Sequence, residues 1–359
     1  MNEQESKFKT TFTLKQHTPL IHFQSDQSGA TLRATELKPK LDRFLLEHVE
    51  GIPFKTNAKG HRSLDYKVKI VYKGKVIKDF PKPYVKRGDE GYIAPYFSDG
   101  TSIETDKTES IELSFISFNQ DILDAIEKYI ALFFTFENFG TRQSKGFGSF
   151  HLEKTSKKEF EELLLKSDNA VFQLTKNASS GKDSLKIVDE FYKHLKMGQR
   201  TPYDKSLLFQ YMCTKSIGWE KKFLKNKFPE IIHGTHQPIA CKEPEDKEFK
   251  YIRAVLGLAE HNEYRPGGGK KQIKIESVER DEKDSSKAKY QRFKSPITFK
   301  IFNGSIYLIY NKSYEEILNK EFYFKLNGKK EELFTPKTFD MYGFLKFVET
   351  KVSYLKELK

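Results

Sequence analysis

Hydrophobic periodicity in the first 150 residues switches from two to nearly four and back in a set order, and this order constrains the fold more than any other feature. Phe8-Lys-Thr-Thr-Phe-Thr-Leu14 alternates apolar and polar side chains and is rich in β-branched residues, the pattern of a half-buried strand. Thr35 then stands as an N-cap before a helix from Glu36 to about His48, with Leu37, Leu41, Phe44 and Leu45 on one face. Two strand-like runs follow, Tyr66–Tyr72 and Ser110–Phe118, separated by a Gly/Pro/Asp-rich excursion from Lys73 to Thr108. Ile122 to Phe139 places Ile122, Ile126, Tyr129, Ile130 and Phe133 at helical spacing, ends at Gly140, and leads to a short strand, Ser149–Leu152. The order β-α-β-β-α-β predicts a ferredoxin-like (RRM-like) module over residues 1–155, an antiparallel sheet with both helices on one face.

Residues 156–359 are predicted to form a helix-rich second domain. Helices are expected at Lys158–Lys166, Ser184–Lys196, Leu207–Phe228 (with a break near Gly218) and Phe249–Leu258. Arg265–Lys294 has no usable periodicity, contains Gly267-Gly268-Gly269 and mixed charge, and reads as a long loop. Asn303-Gly304 then joins Pro296–Phe302 to Ser305–Tyr310, and Asn327-Gly328 joins Phe322–Leu326 to Glu332–Phe334, both as hairpins. Thr338 caps a closing amphipathic helix from Phe339 to about Leu358. The fold class expected is α+β, with two ferredoxin-like modules, the second carrying helical insertions.

A chain of 359 residues suits two domains, and 31 Phe and 18 Tyr supply apolar area in large units, so global disorder is excluded. Lys+Arg number 63 against 50 Asp+Glu, a net charge of +13, which favours a polyanionic partner. Residues 1–150 carry 22 basic and 20 acidic side chains, so nearly all of the excess lies later. Cys213 and Cys241 are too few for a zinc cluster or a disulfide framework, and neither belongs to a CxxC pair. MNEQESKFKT has no apolar signal region, and Asp124, Glu127, Lys128 and Glu137 interrupt the most apolar helix, so no membrane contact is expected. These features predict a soluble protein of a reducing cytoplasm. His233-Gly-Thr-His236 is the tightest histidine pair, but it lacks a third ligand, and neither a metal nor a cofactor is expected.

Two segments can carry chemistry. Gly140-Thr141-Arg142-Gln143-Ser144-Lys145-Gly146-Phe147-Gly148 joins a helix to a strand. Glycines allow positive φ and close approach, and N–H groups beside two cations suit a phosphate chain. The plainer alternative is a helix C-cap followed by a loop with solvated charges. It is neither a dinucleotide fingerprint nor a Walker loop, because it follows a helix instead of opening one. The second segment is His17-Thr-Pro-Leu-Ile-His-Phe-Gln24 with the polar loop and basic helix after it, bearing Arg33, Lys38, Lys40 and Arg43. His22 and Asp26 are candidates for acid and base in RNA cleavage, or for a backbone hydrogen bond and an Asx turn.

Together the segments resemble the RAMP superfamily of CRISPR effector proteins, and more closely its first-numbered subunit in the Cmr (type III-B) complex. The resemblance lies in the strand ending in Thr-Pro, the basic helix, the Gly-x-Arg-x-x-Lys-Gly-Phe-Gly loop, then Val255-Leu-Gly-Leu258 and Arg292-Phe-Lys-Ser-Pro296. Its motifs cover a small fraction of the chain but touch both halves. Where the family's first helix reads Lys-Gly-x-x-Arg, this chain has Lys38-Pro39-Lys40-Leu41-Asp42-Arg43.

The resemblance implies a non-catalytic RNA-binding subunit of a multisubunit effector, contacting the 3′ portion of the guide CRISPR RNA, helping capture target RNA and docking other RAMP subunits. It assigns RNA contacts to Arg33, Lys38, Arg43, Gly140 to Gly148, Arg292 and Lys294. Physical chemistry agrees: Arg265–Lys294 carries 10 basic and 5 acidic residues, and Tyr290-Gln-Arg-Phe-Lys294 interleaves rings with cations. The alternatives are a RAMP-type endoribonuclease, processing guide precursors or cutting target through His22 or Asp26, and a basic structural adaptor. A processing enzyme typically keeps its glycine-rich loop near the C-terminus, whereas here the loop ends at Gly148.

Overall fold

The structure, a computed structural model, describes residues 7–21, 32–73, 77–78, 105–107, 110–176, 178, 181–200, 203–231, 248–264, 271–282, 284–290 and 292–359. His22, Asp26, most of the Lys73–Thr108 excursion, His233, His236 and Cys241 lie outside the described residues.

The chain is mixed α+β. It runs through β1 (Lys9–Gln16), α1 (Ala34–His48), β2 (Lys67–Lys73), β3 (Ser110–Ile116), α2 (Gln120–Phe136), β4 (Phe150–Leu152), α3 (Lys157–Leu164), β5 (Phe172–Leu174) and α4 (Gly181–Lys196). Next come α5 (Leu207–Cys213), β6 (Ile217–Trp219), α6 (Glu220–Lys227), β7 (Glu248–Lys250), β8 (His261–Tyr264) and β9 (Lys271–Ser277). β10 (Ile297–Phe302), β11 (Ser305–Tyr310), β12 (Glu321–Leu326), β13 (Lys329–Phe334), α7 (Met341–Lys351) and β14 (Leu355–Glu357) complete it.

Alternation along the strands decides which face is buried. The first sheet is antiparallel in the order β2-β3-β1-β4. Leu14, Leu113 and Phe115 join Leu37, Leu41 and Leu45 of α1 and Ile122, Ile126, Ile130 and Phe133 of α2 in one core, with Phe12, Val68 and Ile70 packed against it. A second sheet has the order β10-β11-β5-β14, and a third the order β8-β9-β12-β13. Two compact units result: Met1–Asp189 with Thr298–Ile309 and Lys356–Lys359, and Glu190–Ile297 with Tyr310–Leu355. Within the first unit, Phe302 of β10 stacks on Phe160 of α3 at 4.2 Å, and Tyr307 packs on the same ring at 5.4 Å.

Several boundaries differ from those expected, each for a local reason. Arg33, not Thr35, occupies the cap position of α1, and no side chain caps it. α2 starts two residues and ends three residues early: the Asn119 side chain accepts from the Ile122 N–H at 3.3 Å, and the helix stops at Phe136. Asn138 and Phe139 are instead drawn into pairing across the glycine-rich loop. The helix expected over Leu207–Phe228 is indeed broken near Gly218, into α5 and α6, but the break is itself a short strand, β6. Ser216 turns into the left-handed region (φ 58°), and β6 then pairs in parallel with β7.

Phe249–Leu258 is not an α-helix either; β7 is followed by a 3-10 turn, Ile252–Leu256, whose first N–H is taken by the Glu220 carboxylate at 3.2 Å. The expected loop Arg265–Lys294 contains β9, paired between β8 and β12; Ile273 and Ile275 alternate with charged residues in a run too short to stand out. Asp340 replaces Thr338 as the last helix's cap, accepting from the Gly343 N–H at 2.9 Å, and α7 ends at Lys351 so that β14 can form. Both hairpin turns are as expected, with Asn303, Gly304, Asn327 and Gly328 all at positive φ. Among the described residues no helix is long and apolar enough to cross a membrane.

Candidate nucleic-acid interface

The loop Gly140–Gly148 is shaped by four residues in the left-handed region: Gly140, Arg142, Gly146 and Gly148 (φ 76°, 55°, 83° and 63°). Glycine is required at the last of these, because a Cβ there would lie 2.0 Å from the Phe139 carbonyl oxygen. Arg142 adopts the same region with a full side chain, at the start of a 3-10 turn, Gln143–Lys145. Such a residue is held by its surroundings rather than by its own preference.

Those surroundings are hydrogen bonds from every side of the first unit. The Thr18 hydroxyl donates to the Gly146 carbonyl at 2.6 Å and accepts from the Ser149 N–H at 2.9 Å. The Gly148 N–H donates to Pro19 and the Phe139 N–H to Gly148. From α1, Glu36 accepts the Gly140 N–H at 2.7 Å, and the Lys40 ammonium donates to Glu137 (3.0 Å), the Asn138 carbonyl (2.6 Å) and the Gln143 side chain (2.8 Å). Asn138 donates to the Gln143 and Phe299 carbonyls. Beneath it the fully buried Lys300 donates to the Glu137 carbonyl (2.7 Å), Asn138 Oδ1 (3.1 Å) and the Phe150 carbonyl (3.2 Å). Burial, opposed by Glu137 and reinforced by Lys40, holds the Lys300 pKa well below the ordinary lysine value.

The loop therefore differs from a nest of free amides. The N–H groups of Gly140, Lys145, Gly146 and Gly148 are all engaged within the protein. What it presents outward is Arg142, which is exposed, at the mouth of a recess of about 220 Å³ lined by Arg142, Ser144, Lys145, Phe147, Leu185 and Asp189. Partial desolvation lowers the Arg142 pKa and Asp189 opposes it; a guanidinium stays charged regardless.

The other sequence candidates divide. Lys38 is turned inward: its ammonium pairs with the buried Asp42 at 3.0 Å, donates to the Leu64 carbonyl at 2.8 Å and lies 3.8 Å from the Tyr66 ring centroid. The Asp42 that departs from the family pattern is thus the partner that occupies Lys38. Arg43 is exposed on α1, and Arg33 precedes the helix. Arg292 and Lys294 belong to the second unit, where both are exposed and Phe293 bridges to Leu258 through paired backbone bonds. Arg292 faces Glu260 at 3.8 Å. His17 is buried on Phe302, and its Nδ1 accepts the Asn303 N–H at 3.3 Å.

Sequence reasoning passed over Glu36 and Lys40 as loop supports, although their i, i+4 spacing puts both on one helix stripe. Thr18, Asn138 and Lys300 left no local signal, since their partners are distant in the chain. Among the described residues no group of three or more His, Cys, Asp or Glu side chains is placed to hold a metal ion.

The glycine-rich loop, the Thr-Pro strand end and the basic helix that carry the RAMP resemblance thus meet within the first unit. A family model described as the Cmr1 N-terminal domain matches residues 7–199, and one described as the Cmr1 C-terminal domain matches residues 203–358. The chain belongs to the Cmr1 family. Among solved structures it is similar to the crystal structure of Cmr1 from Pyrococcus furiosus in its apo form, with 9% identity, a TM-score of 0.40 and 98% of each chain covered. No curated protein sequence matches.

Proposed function

We propose that this chain binds RNA without cutting it, as a subunit of a type III-B CRISPR (Cmr) effector that meets the 3′ portion of the guide, helps hold target RNA and docks against other RAMP subunits. The observation that carries the reading is Arg142: an exposed residue whose partly desolvated guanidinium lines the recess, fixed in a left-handed conformation on a loop braced by Thr18, Glu36, Lys40, Asn138 and Lys300. A cation oriented in advance pays little entropy on meeting a phosphate. The scaffold is read as two ferredoxin-like modules. Supporting this, β2-β3-β1-β4 and β10-β11-β5-β14 show one succession: in each, the first and third strands of the set are central, and the second and fourth form the edges.

The test is binding of the full chain to labelled single-stranded RNA across a salt series. Arg142→Ala should weaken binding alike for different sequences and flatten the slope of log K against log salt by about 0.7. Its circular dichroism should match that of the parent. An unchanged slope would remove the loop from the RNA site, and cleavage by the purified protein would end the non-catalytic assignment.

A further inference from the structure

The face of the first sheet turned away from α1 and α2 carries a pattern of its own. Lys9, Thr11, Thr13 and Lys15 are exposed along β1, and Lys67, Lys69 and Lys73 along β2. The registers set Lys9 and Lys67 on either side of Ile116, Thr11 and Lys69 on either side of Ser114, and Thr13 and Val71 on either side of Glu112. Contacts confirm that these residues share one face. Thr11 and Ser114 join hydroxyls at 3.0 Å, and Lys73 pairs with Glu112 at 2.6 Å. Lys73, with smaller effects from Lys9 and Lys69, holds the Glu112 carboxyl below its usual range.

Glu112 is the sole carboxylate in the sequence of these three strands, so the face is strongly positive. At one end Phe118 is 90% exposed and leans on Phe8, itself 41% exposed, with ring centroids 5.5 Å apart. Ile116 beside them is also exposed. Phe8, Ile116 and Phe118 thus form a small exposed apolar cluster at the end of a row of cations.

We propose that this open face binds single-stranded RNA, its phosphates tracking Lys9, Lys67 and Lys69 and an unpaired base stacking on Phe118. The inference rests on the RNA-binding reading above and adds a second site to it. Successive same-face residues of a strand lie about 7 Å apart, so the lysines form a repeating row suited to a backbone with repeating charge. Thr11 and Thr13, both exposed, offer hydroxyls to the sugars between. A ring accepts a base only if that base is unstacked, which selects a single strand over a duplex. Helix-backed antiparallel sheets bind single strands on this same open side. Here, though, the aromatic pair sits at the end of the face, so charge supplies most of the binding.

The test uses the full chain with a labelled oligouridylate, comparing Phe118→Ser, Lys67→Ala with Lys69→Ala, and Arg142→Ala. All these side chains are exposed, and unchanged melting curves check that the variants fold. Phe118→Ser should weaken binding about tenfold with the salt slope unchanged. The double lysine variant should flatten that slope by about 1.4, corresponding to two phosphate contacts. If both bind like the parent while Arg142→Ala does not, the RNA site is confined to the loop and the proposal falls alone. Variants that keep RNA affinity but lose association with an acidic protein would likewise overturn it. A parent chain with no affinity for the oligouridylate would overturn the RNA-binding reading itself, and this proposal with it.

Discussion

Lys300 and His151 show how single buried groups govern the candidate site. Lys300 is a lysine with no exposed surface whose hydrogen bonds go to the base of the glycine-rich loop and the start of β4. Lys300→Met keeps the volume but strips Asn138 Oδ1 and two carbonyls of a donor. It should cost about 2–4 kcal/mol in urea unfolding and loosen the Arg142 loop. His151, buried with Nε2 3.0 Å from the Thr135 hydroxyl, has its pKa lowered to about 3, first by burial and then by the Lys300 charge. The unfolded chain takes up that proton near 6.5, so between these values the unfolded state holds more protons than the folded one. Stability from this group is full above 6.5 and falls as the pH drops toward 3, by about 1.4 kcal/mol per unit. His151→Leu should flatten the fall between pH 6 and pH 4; an equally steep fall in the variant would assign acid sensitivity elsewhere.

At the scale of elements, legibility follows how local the cause is. The Asn-Gly hairpins and the strand alternation of β1 were readable because a turn or a pleat is written within a few residues. The short second-unit elements were not. The Ile252–Leu256 turn is organised by Glu220, a fully buried carboxylate that accepts from the Trp219 indole at 2.8 Å and from the Ile252 amide, and pairs with Arg253. Helical spacing over Phe249–Leu258 loses to this polar cluster, because a buried charge must be satisfied wherever the chain can reach it. Arg253→Met would leave the Glu220 carboxylate without its cation. A loss of about 3–5 kcal/mol is expected in chemical denaturation, and a change below 1 kcal/mol would show that the pair is not what anchors the turn. The loop's shape was legible in its glycines, whereas its engaged amides and the inward turn of Lys38 were not, since both depend on groups far along the chain.

For the whole molecule, the hairpin Thr298–Ile309 belongs to the first unit although about a hundred residues of the second precede it. It supplies Lys300 beneath the loop and Phe302 against Phe160. A fragment spanning residues 1–199 would lack both, with Phe160 and Phe172 uncovered. It should aggregate or melt without cooperativity in circular dichroism, whereas a cooperative transition near that of the full chain would show that the hairpin is dispensable. Sequence alone determined the α+β class, the order of elements in the first 150 residues, the hairpin turns, the positive charge and the glycine-rich loop. These follow from periodicity, turn chemistry and composition, which act over short range or over the sum of the chain. Only tertiary structure decided which cations face outward, that Lys38 is spent on Asp42, that Lys40 and Lys300 brace the loop, and that the lysines of β1 and β2 share an open face. Each of these requires two distant segments to meet, and burial then decides whether a charge must be paired inside or left to face water.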